Sequence, residues 1–184
     1  MDLNKAIQSR KSVRKFTSEK PDWRDIIECI DSARYAPLAG EIPTLKFILI
    51  SDKEKIKMIS EASQQDFISE AHYVVAVVSK PDLTIKSFGE RGEIYARQQA
   101  GASIQNFLLS LEEKKLATCW IGYFVEKQIK ELLKIPDNAN VEAIFPIGYE
   151  MRKQKISKKP SLDSCLFFDK FGNKKMSGTK RLDV

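Results

Sequence analysis

The chain has 184 residues, 42% hydrophobic and 30% charged, which predicts one folded domain and excludes a disordered or low-complexity chain. No apolar run approaches the roughly 20 residues of a membrane-spanning helix, so no membrane partner is expected. One histidine and three scattered cysteines (Cys29, Cys119, Cys165) leave no conventional zinc ligand set and no disulfide framework. With no apolar signal-peptide core at the N-terminus, they predict a reducing, cytoplasmic setting.

The net charge of +6 is concentrated at the end, where Lys153, Lys155, Lys158, Lys159, Lys170, Lys174, Lys175, Lys180 and Arg181 fall within the last 32 residues. Residues from about 152 to 184 read as a Lys-rich arm on an otherwise single domain, and charge runs of this kind usually face water.

In chain order, Asp2 is placed to cap a first helix running toward Ser9 or Lys11, with Leu3, Ala6 and Ile7 on one face. Asp22 is placed to cap a second, in which Trp23, Ile26, Ile27, Ile30 and Ala33 recur at helical spacing, with Trp23 in the core. Pro37-Leu38-Ala39-Gly40 ends it. Residues 46–51 form a buried strand, a short helix opens at Asp52, and Tyr73–Val78 forms a second strand ended by Lys80-Pro81. From about Gly92 to Leu116 one long helix is predicted. Its middle, Ala100 to Ile104, is small and apolar nearly all round, so burial on most sides is expected, in part against a second subunit. Strands at Ala117–Tyr123 and Val141–Tyr149 flank a helix from about Val125 to Leu133. The predicted fold is α+β, a mainly antiparallel central sheet flanked by helices.

Several chemistries are pruned at once. The chain has no GxGxxG dinucleotide turn, no GxxxxGK[ST] phosphate loop and no GxSxG elbow. His72 stands directly before a strand and is read as structural, which leaves no histidine for acid–base or triad catalysis. Cys119 is read as a small apolar core residue.

One dense cluster remains, Arg10-Lys11-Ser12-Val13-Arg14-Lys15-Phe16. In an extended segment Arg10, Ser12 and Arg14 project to the same side, and two guanidiniums around a hydroxyl suit a phosphate. On charge alone a solvated basic turn is the favoured reading.

The context of that cluster resembles the nitroreductase family (FMN-dependent NAD(P)H oxidoreductases of the NADH oxidase type). Arg-x-Ser-x-Arg-x-Phe after a first helix is similar to the family's opening motif. Ala33 to Gly40 resembles its Ala-x-x-Ala-Pro-Ser-Ala loop, and Ala102 to Leu109 its long central helix. Ala117 to Gly122 resembles the strand and turn that line the flavin. Ile135-Pro136 and Ala143 to Tyr149 resemble the closing segment, and Lys158-Lys159-Pro160 the basic residue before Pro-Leu.

The resemblance implies an intertwined homodimer with FMN at the subunit interface and hydride transfer from NAD(P)H, through flavin N5, to an electrophilic small-molecule acceptor such as a nitroaromatic or quinone. It implies that Arg10, Lys11 and Ser12 hold the phosphate end, with Lys158 or Lys159 closing from the C-terminal segment. Arg14 would face the pyrimidine edge, Pro37, Leu38, Ala39, Gly40 and Glu41 would lie near the ring, and Trp120, Ile121 and Gly122 would approach N5. No side chain is implied to be catalytic and no metal is implied; the flavin carries the chemistry. The chain departs from the family at Leu38 (usually Ser), Glu41 (commonly Asn, with a turn toward Arg14 as the alternative to a flavin contact), Gln99 (commonly acidic) and Lys114-Lys115 (a Gly-Leu-type helix exit). These changes bear on substrate choice. The alternatives are a specialised enzyme of the same fold, dehalogenating or flavin-fragmenting, which the absence of lid insertions disfavours, and a basic nucleic-acid-binding module, which lacks a recognisable motif.

Overall fold

The computed structural model describes residues 2–153, 156 and 158–176. The chain divides into two compact units, Met1–Gln154 and Lys155–Val184.

The first unit is built on four strands, β1 (Leu45–Ile50), β2 (Tyr73–Ser79), β3 (Ala117–Thr118) and β4 (Asn140–Gly148), in the order β1-β2-β4-β3. Every pairing is antiparallel, as predicted. β2 is buried along its whole length because both faces of the sheet are covered. Val74, Ala76 and Val78 join a core shared with α3 (Lys53–Ser63) and α6 (Glu126–Leu133). Tyr73, Val75 and Val77 join a second core against α2 (Trp23–Ala33) and α5 (Arg91–Glu113). A nearly continuous apolar run is the mark of a strand covered on both sides.

Helix starts follow the capping residues. Asp22 accepts from Arg24 N at 2.9 Å to open α2, and Asp52 accepts from Lys55 N at 2.9 Å to open α3. Asp2 has the extended backbone of an N-cap before α1 (Leu3–Ser9), but its side chain makes no capping bond.

Two expectations need correction, and one helix is added. Trp23 is not core: it is 44% exposed, with the Arg24 guanidinium 4.9 Å from its ring centre. The strand expected over Ala117–Tyr123 stops at Thr118 and resumes only as a bridge from Ile121 to Ile144, in unchanged register. The interruption faces Pro146, which has no N–H to donate and whose carbonyl accepts from Thr118 Oγ1 at 2.7 Å. The helix α4 (Asp82–Phe88) has no counterpart in the sequence reading, because Leu83, Ile85 and Phe88 are exposed and only Thr84 is buried. Within the single chain α5 buries one stripe. Ala96, Gln99, Ala100, Ser103, Ile104, Phe107, Leu108 and Leu111 face the core, while Gly101 and Ala102 are half-buried.

α5 is tied to α2 by Lys114, whose ammonium pairs with Asp25 at 2.7 Å and with Glu28. These carboxylates raise the Lys114 pKa. The following Lys115 takes the left-handed turn that a glycine would otherwise provide. Among the described residues no helix is long and apolar enough to cross a membrane.

Among its described residues the second unit contains one short helix, α7 (Leu162–Cys165), and a turn in which Phe168 N donates to Asn173 O at 2.8 Å. Phe167 and Phe171 pack ring against ring at 4.7 Å, with Lys174 over Phe167. Lys158 and Lys159 are exposed. Lys155, Lys180 and Arg181 lie outside the described residues.

Candidate functional site

The basic segment is fixed by its apolar members. Val13 and Phe16 are buried with Ala71 and Ala117. Val13 N donates to Thr118 O at 2.8 Å, Thr17 N donates to Tyr149 O at 2.9 Å, and Met151 N donates to Lys15 O at 3.1 Å. The segment therefore runs along β3 and the end of β4. With Val13 turned inward, Ser12 and Arg14 project outward, as the alternation in an extended chain requires.

Burial pushes the Cys119 thiol above its ordinary pKa, while the charge of Arg14, a hydrogen bond with Ser12 and the charge of Arg10 act in the opposite direction. Cys119 is buried, consistent with the apolar role predicted for it, and it leads into the turn at Trp120-Ile121-Gly122. Ile121 is locked into the core by paired bonds with Ile144, 3.0 Å each way. Trp120 stacks edge-on against Phe145 at 5.6 Å and is 43% exposed, and Gly122 is exposed. Two segments singled out separately in the sequence thus meet where Val13 pairs with Thr118.

Beside them lies a cleft of about 430 Å³ whose lining includes Lys5, Arg10, Lys11, Lys115 and Lys153 together with Glu112 and Glu150. Lys11 is held by Glu150 at 2.8 Å. The larger cleft of about 600 Å³ along α6 contains none of the predicted residues, and its charges pair with one another, Lys130 with Glu126 at 3.3 Å among them.

The structure does not bring the Pro37–Glu41 turn to this place within one chain. Residues Ala39–Glu41 form a single tight turn attached to α5 at Gln99, whereas the basic cleft borders α5 at Leu108 and Glu112. That is 9 to 13 residues along a helix, roughly 14–20 Å at 1.5 Å per residue. Gly40 has a left-handed backbone, φ 58°, and packs under Phe88, where a β-carbon would lie 2.8 Å from the ring. Leu38 borders an apolar cleft of about 310 Å³ between α2, β1 and α5, with Ile27, Ile30 and Phe47. Among the described residues no ion pair joins Glu41 to Arg14. His72 contacts the carbonyl of Ser18 through Nε2 at 2.9 Å, the structural role expected of it. Sequence reasoning gave Gln99 no structural role, and its burial among loop partners becomes visible only in three dimensions.

An antiparallel four-stranded sheet covered by helices on both faces, with an Arg-Ser-Arg edge beside its shortest strand, defines an α+β fold. The sequence pattern of the nitroreductase family matches residues 7–70 and 57–149, and the chain belongs to that family. It is 27% identical over 150 residues to a protein of Archaeoglobus fulgidus assigned provisionally as an NADH dehydrogenase/NAD(P)H nitroreductase, covering 79% of this chain and 83% of the relative. It is 25% identical over 158 residues to the iodotyrosine deiodinase of Thermotoga neapolitana, covering 77% and 85%. Among solved structures, a nitroreductase family protein of Clostridium novyi NT superposes with a TM-score of 0.75 at 28% identity, covering 94% and 96%. An FMN-dependent nitroreductase of Clostridium difficile R20291 superposes with a TM-score of 0.73 at 23% identity, covering 88% and 92%.

Proposed function

We propose that the protein is an FMN-dependent oxidoreductase that works as a homodimer, taking hydride from NAD(P)H and delivering it to an electrophilic acceptor in a ping-pong cycle. The observation that carries this reading is the bond from Val13 N to Thr118 O at 2.8 Å, which seats the Arg10–Arg14 segment along β3, next to the Trp120–Gly122 turn. When bound, FMN would supply a two-electron relay at N5, accepting hydride from one substrate and releasing it to the next.

The residues present fit that group. Two guanidiniums and a hydroxyl along an extended segment can give bidentate and single hydrogen bonds to phosphate and ribityl oxygens. Arg10 and Ser12 would hold the phosphate end, with Lys158 or Lys159 as further cations. Lys11, already paired with Glu150, would act as background charge. Arg14 would stand at the pyrimidine edge, where a fixed positive charge favours the reduced, more negative ring. Trp120 to Gly122 would offer main-chain groups near N5, kept in place by the Ile121–Ile144 bridge.

A dimer follows from the same reading. One chain separates the Pro37–Glu41 turn from the Arg10–Arg14 edge, and a second copy is what can bring such a turn to the first copy's edge. Leu3, Ile7, Trp23, Ile27 and Ile94 are exposed apolar side chains available for that contact.

The similarity to a deiodinase supports a second reading, reductive removal of halide from an aromatic substrate by the same bound flavin. The first test is purification with added FMN. The reading expects flavin absorbance that stays with the protein through gel filtration at dimer mass. A monomer that takes up no FMN would overturn it. Iodide release from iodotyrosine under reducing conditions, set against reduction of a nitroaromatic or quinone, separates the two substrate classes.

A further inference from the structure

We propose that Gln99 is a positioning residue for the Pro37–Glu41 turn, its buried amide acting as a clasp on a backbone shape that the turn's own bonds hold only weakly. The geometry stands by itself; its consequence for flavin rests on the FMN reading above.

The turn carries two successive left-handed residues, Gly40 at φ 58° and Glu41 at φ 59°. Glycine adopts that conformation readily, but Glu41 carries a side chain and is disfavoured there. Within the turn the bonds are few and long, from Glu41 N to Leu38 O at 3.3 Å and from Ile42 N to Ala39 O at 3.2 Å. Something outside must hold it.

Gln99, on the core-facing stripe of α5, is 4% exposed. In the amide orientation that pairs donors with acceptors, Oε1 accepts from Ala39 N at 3.0 Å, and Nε2 donates to Ile42 O at 3.2 Å and to Thr44 Oγ1 at 2.9 Å. One planar group thereby spans both ends of the turn. Only a neutral amide does this, because the site presents a donor to one atom and acceptors to the other, and a carboxylate only accepts. Thr44 is itself buried and anchored, its carbonyl accepting from Lys80 N at 2.7 Å at the end of β2. At Gly40 the turn also meets Phe88, whose ring stands edge-on to Tyr95 at 5.3 Å. The turn is thus held by an amide and a ring, with the Glu41 side chain exposed.

The test uses full-length Gln99→Met, which removes the three bonds at similar volume, Thr44→Val, which removes one, and the exposed neighbour Gln98→Met as control. Amide hydrogen exchange is followed without FMN, and FMN affinity and the absorbance spectrum of the bound flavin are measured separately. Exchange across Ala39–Thr44 should accelerate on the order of tenfold in Gln99→Met, the factor for about one net hydrogen bond, with the rest of the chain unchanged. FMN should bind about tenfold more weakly, with an altered flavin spectrum, by the same arithmetic. Thr44→Val should show the same local pattern at smaller size, and Gln98→Met neither effect. Exchange that is unchanged at Ala39–Thr44, or that rises equally along the whole chain, overturns the clasp. Local loosening with unaltered FMN affinity and spectrum overturns its role toward flavin. Should Gln99→Met not fold, Thr44→Val decides on the same criteria. A wild-type chain that binds no FMN removes the flavin reading alone, and the exchange result still judges the clasp.

Discussion

The ring of Phe16 lies against the α-carbon of Gly148, so close that a β-carbon there would sit 2.9 Å from Cδ1, 3.0 Å from Cγ and 3.1 Å from Cβ. Gly148 ends β4, and Phe16 closes the basic segment through its bridge to Glu150. The contact therefore joins the sheet to the segment that carries Arg10, Ser12 and Arg14. Phe16 is 3% exposed and has no open space to retreat into. Gly148→Ala should destabilise the fold by about 1–3 kcal/mol, the usual cost of overpacking. A urea midpoint equal to that of the wild type would show that Phe16 can move away.

Arg10 is the clearest candidate for a phosphate anchor. Arg10→Ala should weaken FMN binding by about 1.5–3 kcal/mol, the range for a hydrogen bond to a charged group. Lys174 lies over the Phe167 ring in the other unit, and Lys174→Ala should leave the affinity nearly unchanged. Titration of both variants with FMN checks this. Equal losses would mean diffuse electrostatic attraction in place of a built site.

For Arg14 the expected effect is on redox balance more than on affinity. Arg14→Gln keeps a donor and removes the charge, so the reduced flavin loses more stabilisation than the oxidised one. The midpoint potential should fall and reduction by NAD(P)H should slow, while oxidised-state affinity falls less than in Arg10→Ala. For a two-electron couple a 30 mV shift corresponds to about 1.4 kcal/mol, so a modest electrostatic loss is measurable. An Arg14→Gln variant that releases FMN, yet keeps the wild-type potential in whatever remains bound, would identify Arg14 as an anchor.

The three cysteines should behave differently. Cys29 and Cys119 are buried, and Cys165 is exposed. A water-soluble thiol reagent at about pH 8 should modify Cys165 quickly and the other two only on unfolding, since the thiolate reacts and burial opposes it. Burial raises both buried thiols above the ordinary value of 9.0. The unfolded chain therefore loses these protons first as pH rises. Their contribution to stability is full below about pH 9 and falls as pH climbs toward the folded values. Urea midpoints measured between about pH 8.5 and 10 should decline less steeply in a Cys29→Ala, Cys119→Ala double variant than in the wild type. Parallel slopes would remove the two thiols as the cause.

What the sequence by itself determined was set by local periodicity and end chemistry. The apolar run at Tyr73–Val78 marked a strand covered on both faces, and Asp22 and Asp52 marked helix starts, because these depend on near neighbours in the chain. The alternation around Val13 already placed Ser12 and Arg14 on one side. The motif spacing from Arg10 to Tyr149 carried the family. Tertiary structure decided the rest. Pro146 cut β3 to two residues by withholding a donor from a strand distant in sequence. Trp23, at correct helical spacing for a core position, emerged exposed because spacing fixes a helical face and not what covers it. α4 packs through a threonine and left no apolar period to read. The partners of Gln99, some 55 to 60 positions earlier in the chain, were chosen by the packing of α5, as was the separation of the Pro37–Glu41 turn from the Arg10–Arg14 edge. A polar side chain buried far from its partners in sequence has no local signal, because its hydrogen bonds exist only once the elements have met.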